Sequence, residues 1–101
     1  MQFEAITYVG GGTQVVAGGS SANVAIPTTA SGKTARFVAV QTVGTTYAYV
    51  KFGPTNAVTA TASDFPVSSN ELRIFDVMGQ SYVAYIQETA GAKINICPVE
   101  F

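Results

Sequence analysis

Histidine and tryptophan are both missing from this chain of 101 residues, and cysteine occurs once. Without histidine there is no imidazole to serve as a base near neutral pH, no imidazole zinc ligand and no Ser/His or Cys/His nucleophilic pair. The lone Cys97 admits no internal disulfide, and its setting in "INICPV" reads as a buried thiol in a protein made in a reducing compartment. Charge is equally scarce: charged residues are 11% of the chain, against about 25% in ordinary soluble domains. The five cations, Lys33, Arg36, Lys51, Arg73 and Lys93, stand singly and the net charge is −1. That excludes a polybasic patch for phosphates, so no nucleic-acid partner is expected. No apolar run reaches the roughly 18 residues of a membrane helix, and "MQFEAITYVGGG" lacks the basic and long apolar regions of a secretion signal. No membrane partner is expected, and the chain reads as soluble.

The carboxylates Glu4, Asp64, Glu71, Asp76, Glu88 and Glu100 are dispersed. Glu71 and Asp76 could meet in a glycosidase-like pair, but nothing marks them for it and alternation along a strand sets them on opposite faces. Asp64 in "TASDFP" stands alone, which is too little for a calcium loop and suits a turn whose carboxylate accepts backbone donors. "GGGTQ" and "AGGSS" are glycine-rich, yet neither ends in Lys–Ser/Thr nor precedes a helix, so they read as turns rather than phosphate cradles. No catalytic residue, cofactor or metal is expected. Lys33 and Arg36 read either as a rim for an acidic partner or as solvated charges guarding a sheet edge.

Hydrophobic residues supply 48% of the sequence, and Thr, Val, Ile, Tyr and Phe dominate its ordered-looking segments. No window repeats apolar positions at helical spacing, so the pattern predicts strands near 3–9, 13–17, 22–26, 34–42, 45–52, 57–61, 71–77, 81–88 and 92–97. Loops are expected at 10–12, 17–21, 26–33 and 61–70, with Pro27 and Pro66 at strand ends or edges. "QTVGTTY" and "DVMGQSY" read as tight hairpin turns joining 34–42 to 45–52 and 71–77 to 81–88. The expected fold is a single all-β domain, a small antiparallel β-sandwich of jelly-roll-like type with about eight strands over 13–101. Residues 1–12 form an N-terminal strand or arm with a Gly-rich hinge. A surface this poor in charge points to a homo-oligomer or to burial in an assembly.

In "TTYAYVKFG", Thr46, Ala48, Val50 and Phe52 share the face expected to enter the core, leaving Thr45, Tyr47, Tyr49 and Lys51 opposite. In 81–87, Val83 and Tyr85 share one side, and Tyr82, Ala84 and Ile86 the other. Tyrosines on a non-core face either stack across strands or meet a partner. The N-terminal segment alternates too, with Phe3, Ala5, Thr7 and Val9 on one face and Glu4, Ile6 and Tyr8 on the other. It reads as an arm pairing with a neighbour's sheet edge or as the first strand of its own sheet. The candidate interface residues are Phe3, Ile6, Tyr8, Tyr47, Tyr49 and Phe101, each offering apolar area not claimed by the core.

Three patterns, "V-x-I-P…G…A-R-F-V-x-V" at 24–40, "V-x-F-G" at 50–53 and "G-x-S-Y-V-A-Y-I" at 79–86, carry a resemblance over residues 22–101. The chain resembles small tailed-bacteriophage virion proteins, in particular head decoration or cement proteins of β-sandwich type. The resemblance implies a non-enzymatic protein, made in the host cytoplasm, that sits on the capsid exterior and clamps the major capsid protein, usually as a trimer. No functional residue transfers by motif. Two other readings stay open: another virion component such as a tail, fibre or head-completion protein, and a small carbohydrate- or cell-surface-binding module using Tyr47, Tyr49 and Tyr85.

Overall fold

The structure, a computed structural model, describes residues 11–29, 32–69, 71–88 and 90–100 together with the backbone of 7–8. Every regular element among them is a strand: β1 (Thr7–Tyr8), β2 (Thr13–Val16), β3 (Ala22–Ala25), β4 (Phe37–Val43), β5 (Tyr47–Gly53), β6 (Phe65–Ser68), β7 (Arg73–Asp76), β8 (Tyr82–Gln87) and β9 (Lys93–Glu100). They form two antiparallel sheets. In sheet A, β9 lies between β4 and the β1/β2 edge, and β7 closes the far side; sheet B has the order β3-β8-β5-β6. With β1 and β2 counted as one interrupted strand, eight strands make two sheets of four. The chain changes sheet at each step from β2 to β9 except between β5 and β6, which is the winding of a jelly roll. The all-β sandwich expectation holds.

The interruption has a local cause. Tyr8 pairs with Val99, whereas Thr13 pairs with Ile96, so the register of this edge shifts where it passes Cys97 and Pro98. Such a break in register is where a sheet tolerates a proline, which has no N–H to donate. The same place needs Gly12, since a Cβ there would meet Cys97 Sγ at 2.6 Å and the Ile96 carbonyl at 3.0 Å. Strand β9 therefore runs on past Pro98 to Glu100, beyond the expected end at 97.

The core lies between the sheets. Val38, Val40, Ile94 and Ile96 from sheet A meet Ala48, Val50, Val67, Val83 and Tyr85 from sheet B. Each Val or Ile removed from water in this way contributes roughly 1.5 to 3 kcal/mol. Along the β6/β7 side, Phe75 joins the sheets by resting on Phe52 and, edge-on, on Phe65, both at 5.2 Å between ring centres.

Two expected hairpins are not hairpins. Strand β4 pairs with β7 and β9, while β5 pairs with β6 and β8, so the turn at Gly44 carries the chain from one sheet to the other. Likewise β7 belongs to sheet A and β8 to sheet B. A glycine turn between alternating runs fixes the reversal of direction, but not whether the next strand lies beside its predecessor or across the core from it. Hydrogen bonds of the corner do the redirecting: Thr42 Oγ1 donates to the Thr46 carbonyl and Thr46 Oγ1 to that of Val43. Residues 57–61 are a loop rather than a strand, and the expected loop 61–70 contains β6.

At the β7–β8 corner, Met78 and Gly79 both have positive φ, 56° and 78°. Gln80 N–H closes the turn onto the Val77 carbonyl, and Asp76 Oδ1 accepts from Met78 N–H. The left-handed conformation costs a non-glycine residue roughly 1 to 2 kcal/mol, and Met78, 77% exposed, has no packing to offset it. Met78→Gly is therefore expected to stabilise the domain by about 1 kcal/mol, less the glycine's extra unfolded-state entropy. The measurement is a melting curve, in which each kcal/mol moves the midpoint of a domain this size by about 4 to 8 °C; an unchanged or lowered midpoint would refute the strain.

Candidate interaction surfaces

Alternation gives each sheet an outer face. On sheet B it carries Asn23 and Ala25 of β3, Tyr82, Ala84 and Ile86 of β8, Tyr47, Tyr49 and Lys51 of β5, and Pro66 and Ser68 of β6. The chain covers part of this face itself. Asn23 Nδ2 donates to the Asn56 carbonyl and Ala60 N–H donates to Ser21 Oγ, so the loop at 54–64 leaves β5, crosses β8 to reach β3, and returns to β6. Beneath it Ala84 is fully buried, and Ala60 is buried outside the main core. Gly53 lies under Val58 so closely that a Cβ would meet the valine Cβ at 2.6 Å. The loop's far end is held as Asp64 predicted: its carboxylate accepts from Thr61 N–H at 2.7 Å.

Tyr47 and Tyr49 do share the outer face, in different circumstances. Tyr49 sits between Ile86 and Pro66 in the strand register, half-buried, and its hydroxyl donates to Glu88 Oε2 at 2.8 Å. Glu88 is placed by its own N–H, which donates to the Tyr47 carbonyl. The bond to the carboxylate holds the Tyr49 hydroxyl above its usual pKa, with lesser contributions from burial and from the nearby negative charge. Tyr47 is 44% exposed and borders a shallow hollow of about 110 Å³ with Pro66, Ser68, Glu71 and Arg73. Tyr85 is 8% exposed and faces the core, so it belongs to no outer platform; Tyr82 occupies the outward position instead. Of the remaining candidates, Tyr8 contributes backbone pairing to Val99 of the same chain and its side chain is outside the described residues, as are Phe3, Ile6 and Phe101.

The outer face of sheet A is of another kind. Val16, Lys93 and Val43 form one row, Gln14, Asn95 and Gln41 the next, then Cys97, Ala39 and Ile74, then Val99, Phe37 and Asp76. Gln14 Nε2 donates to Asn95 Oδ1, and Gln41 Nε2 to the Ser69 carbonyl at the rim. Only Lys93 and Asp76 bring charge to these rows. Cys97 thus points away from the core rather than into it, half-buried beside Gly12, and that burial raises its thiol pKa.

Beyond one end of this face lies a cleft of about 440 Å³ lined by Thr29, Lys33, Thr34, Arg36, Phe37, Val99 and Glu100. Lys33 stands in a tight turn in which Thr29 N–H donates to the Lys33 carbonyl, and Arg36 lies over the Phe37 ring, 3.6 Å from Asp76. The two cations share a rim with Glu100, so the cleft is mixed in charge. Glu71 pairs with Arg73 instead, so the two carboxylates considered as a catalytic pair are held by different arginines. Among the described residues, no group of three or more Cys, Asp or Glu side chains gathers as metal ligands would. Comparisons with protein-family models, curated proteins and solved structures gave no match.

Sequence reasoning did not find the loop over sheet B or the cleft. The signal for the first was present in Gly53 and Ala84, two small residues on a strand face otherwise filled by tyrosines, a lysine and an isoleucine.

Two outcomes are expected here. Gly53→Ala drives a methyl group against Val58, and overpacking of this kind costs roughly 1 to 3 kcal/mol; limited proteolysis should then cut within 54–64 faster than in the parent, and equal rates would mean the loop is not held by this contact. For Tyr49, the raised pKa means that the hydrogen bond's contribution is complete below the unfolded value near 10.0 and is lost as pH rises through the higher folded value. A phenolate absorbance titration should show a component above the ordinary tyrosine range that Tyr49→Phe removes and Glu88→Gln moves downward.

Proposed function

We propose that this chain is a non-enzymatic virion structural protein that binds the outer capsid surface and stabilises a phage head. The observation that carries the reading is the outer face of sheet A, a β surface of amides and apolar side chains. Its barest rows, Val16, Lys93 and Val43 with Gln14, Asn95 and Gln41, carry among the described residues a single charge at Lys93, while Ala39 and Val99 further along are already buried and Arg36 and Asp76 lie at the far end. Such a face suits a large, close-fitting contact, because few ionic groups must be desolvated. Sheet B offers no equivalent, since the 54–64 loop lies across it. The jelly-roll winding and the resemblance of residues 22–101 to head decoration proteins support the same assignment, with the major capsid protein and further copies of the chain as partners and the capsid exterior as its place.

The carbohydrate-binding reading is weakened. Tyr85 is in the core and Tyr49 is committed to Glu88, which leaves Tyr47 alone of the three tyrosines a sugar would need.

Co-sedimentation with expanded phage heads stripped of the protein tests the proposal. Saturable binding at a symmetry-allowed copy number is expected, with bound heads surviving heating better than bare ones. Gln41→Lys, which puts a charge in the middle of the sheet A face, should reduce occupancy at least tenfold, the factor corresponding to about 1.4 kcal/mol. Absence of binding to heads, with attachment to tails or host-surface glycans, would overturn the reading.

A further inference from the structure

Three of the most exposed large apolar side chains among the described residues, Val16 (61% exposed), Leu72 (52%) and Val43 (43%), gather at one end of the outer face of sheet A. Val16 and Val43 flank Lys93 in the strand register, and neighbouring strands lie about 4.8 Å apart. Leu72 immediately precedes β7 and alternates onto the side of Ile74; because Ile74 pairs with Ala39, Leu72 comes beside Gln41 in the next row. The amides of that row are engaged within the chain, since Asn95 accepts from Gln14 and Gln41 donates to the Ser69 carbonyl. Lys93 is not engaged. It is exposed and has no ion pair among the described residues, whereas Arg36 and Arg73 each have one.

The position of Lys93 dictates what can cover this end. A partner that takes water from both valines also covers the ammonium group standing between them. An ammonium taken out of water with no opposite charge costs more than the burial of two valines returns. Neutral acceptors restore its hydrogen bonds but not the lost interaction of its charge with water. A carboxylate supplies both, and a protein surface offers one through Asp or Glu.

We infer that this end of sheet A is the centre of the contact with the major capsid protein, and that the capsid protein brings an Asp or Glu side chain, set among apolar groups, onto Lys93. The inference rests on the virion reading and adds to it the place of the contact and the chemistry of the partner. Val16, Val43 and Leu72 form the apolar surround that keeps water from the charge pair. The pairing also fixes the orientation of the domain, because a misplaced docking leaves both charges buried and unpaired. The far end of the face, with Arg36, Asp76 and the cleft, lies outside the contact.

The test uses expanded phage heads stripped of the protein and the full chain. Loaded heads are treated with a water-soluble carbodiimide, which condenses an amine with a carboxylate in contact with it, and the joined peptides are identified by mass spectrometry. The expected product joins Lys93 to an Asp or Glu of the capsid protein. Lys93→Arg should still bind but give no such product, because a guanidinium is not coupled. Lys93→Glu should lower occupancy by about tenfold or more, while Lys51→Glu, on the outer face of sheet B, should leave it unchanged. All three substitutions are at exposed positions, and a melting curve for each confirms the fold. A parent that does not bind heads overturns the virion reading and this inference with it. Binding by the parent overturns the inference alone if Lys93→Glu binds equally well, if Lys33 or Lys51 is coupled in place of Lys93, or if Lys93 is joined to nothing or to a second copy of this chain.

Discussion

The layer of branched aliphatic side chains between the sheets, Val38, Val40, Ile94 and Ile96 against Val50, Val67 and Val83, is the interaction on which the remaining structure depends. A domain of this length hides a smaller share of its surface than a larger one and has few other means of stabilising itself. It has no internal disulfide and, among the described residues, no cluster of metal ligands, and the Arg36–Asp76 and Arg73–Glu71 ion pairs lie on the surface. Stability therefore rests on shape: valines and isoleucines are stiff at χ1 and stack well on a pleated surface. The aromatic contact of Phe52, Phe65 and Phe75 closes the β6/β7 side of that layer, each such pair adding roughly 0.5 to 1.5 kcal/mol.

Because both sheets must turn their apolar rows toward that layer, the alternation of each strand was readable before its neighbours were known. The assignment of Ala48, Val50 and Phe52 inward and of Tyr47, Tyr49 and Lys51 outward holds, and so does the separation of Val83 and Tyr85 from Tyr82, Ala84 and Ile86. Pairing was a different matter. A two-residue periodicity is local, whereas the partner of a strand in a jelly roll is set by residues far along the chain, as with Phe37 against Val99. The turns at Gly44 and Met78–Gly79 look like hairpin turns in sequence because the backbone requirement of a sharp reversal is the same in a corner.

The candidate surfaces divide along the same line. The tyrosine face was legible as a set of outward residues, but its partial occupation by the 54–64 loop was not, because "AVTAT" (57–61) reads as strand: its valine, threonines and alanines are what a strand would use. In the fold, Val58 and Ala60 of that stretch are instead a lid, packed on Gly53 and held to Ser21. Phe65 was hidden for the opposite reason, since Pro66 and the serines around it signal a loop, while an edge strand accepts them as well.

The loop makes the two outer faces unequal, and from that inequality the arrangement of contacts follows. A sandwich with two equally bare faces would stack in either direction and could not present one side to a partner. With sheet B partly roofed by its own chain, the barer face is the part of sheet A formed by Val16, Lys93 and Val43 with Gln14, Asn95 and Gln41, and the proposed capsid contact rests on those rows. The scarcity of charge, which in an isolated small domain is a liability for solubility, becomes consistent with the fold once each bare surface has something to lie against.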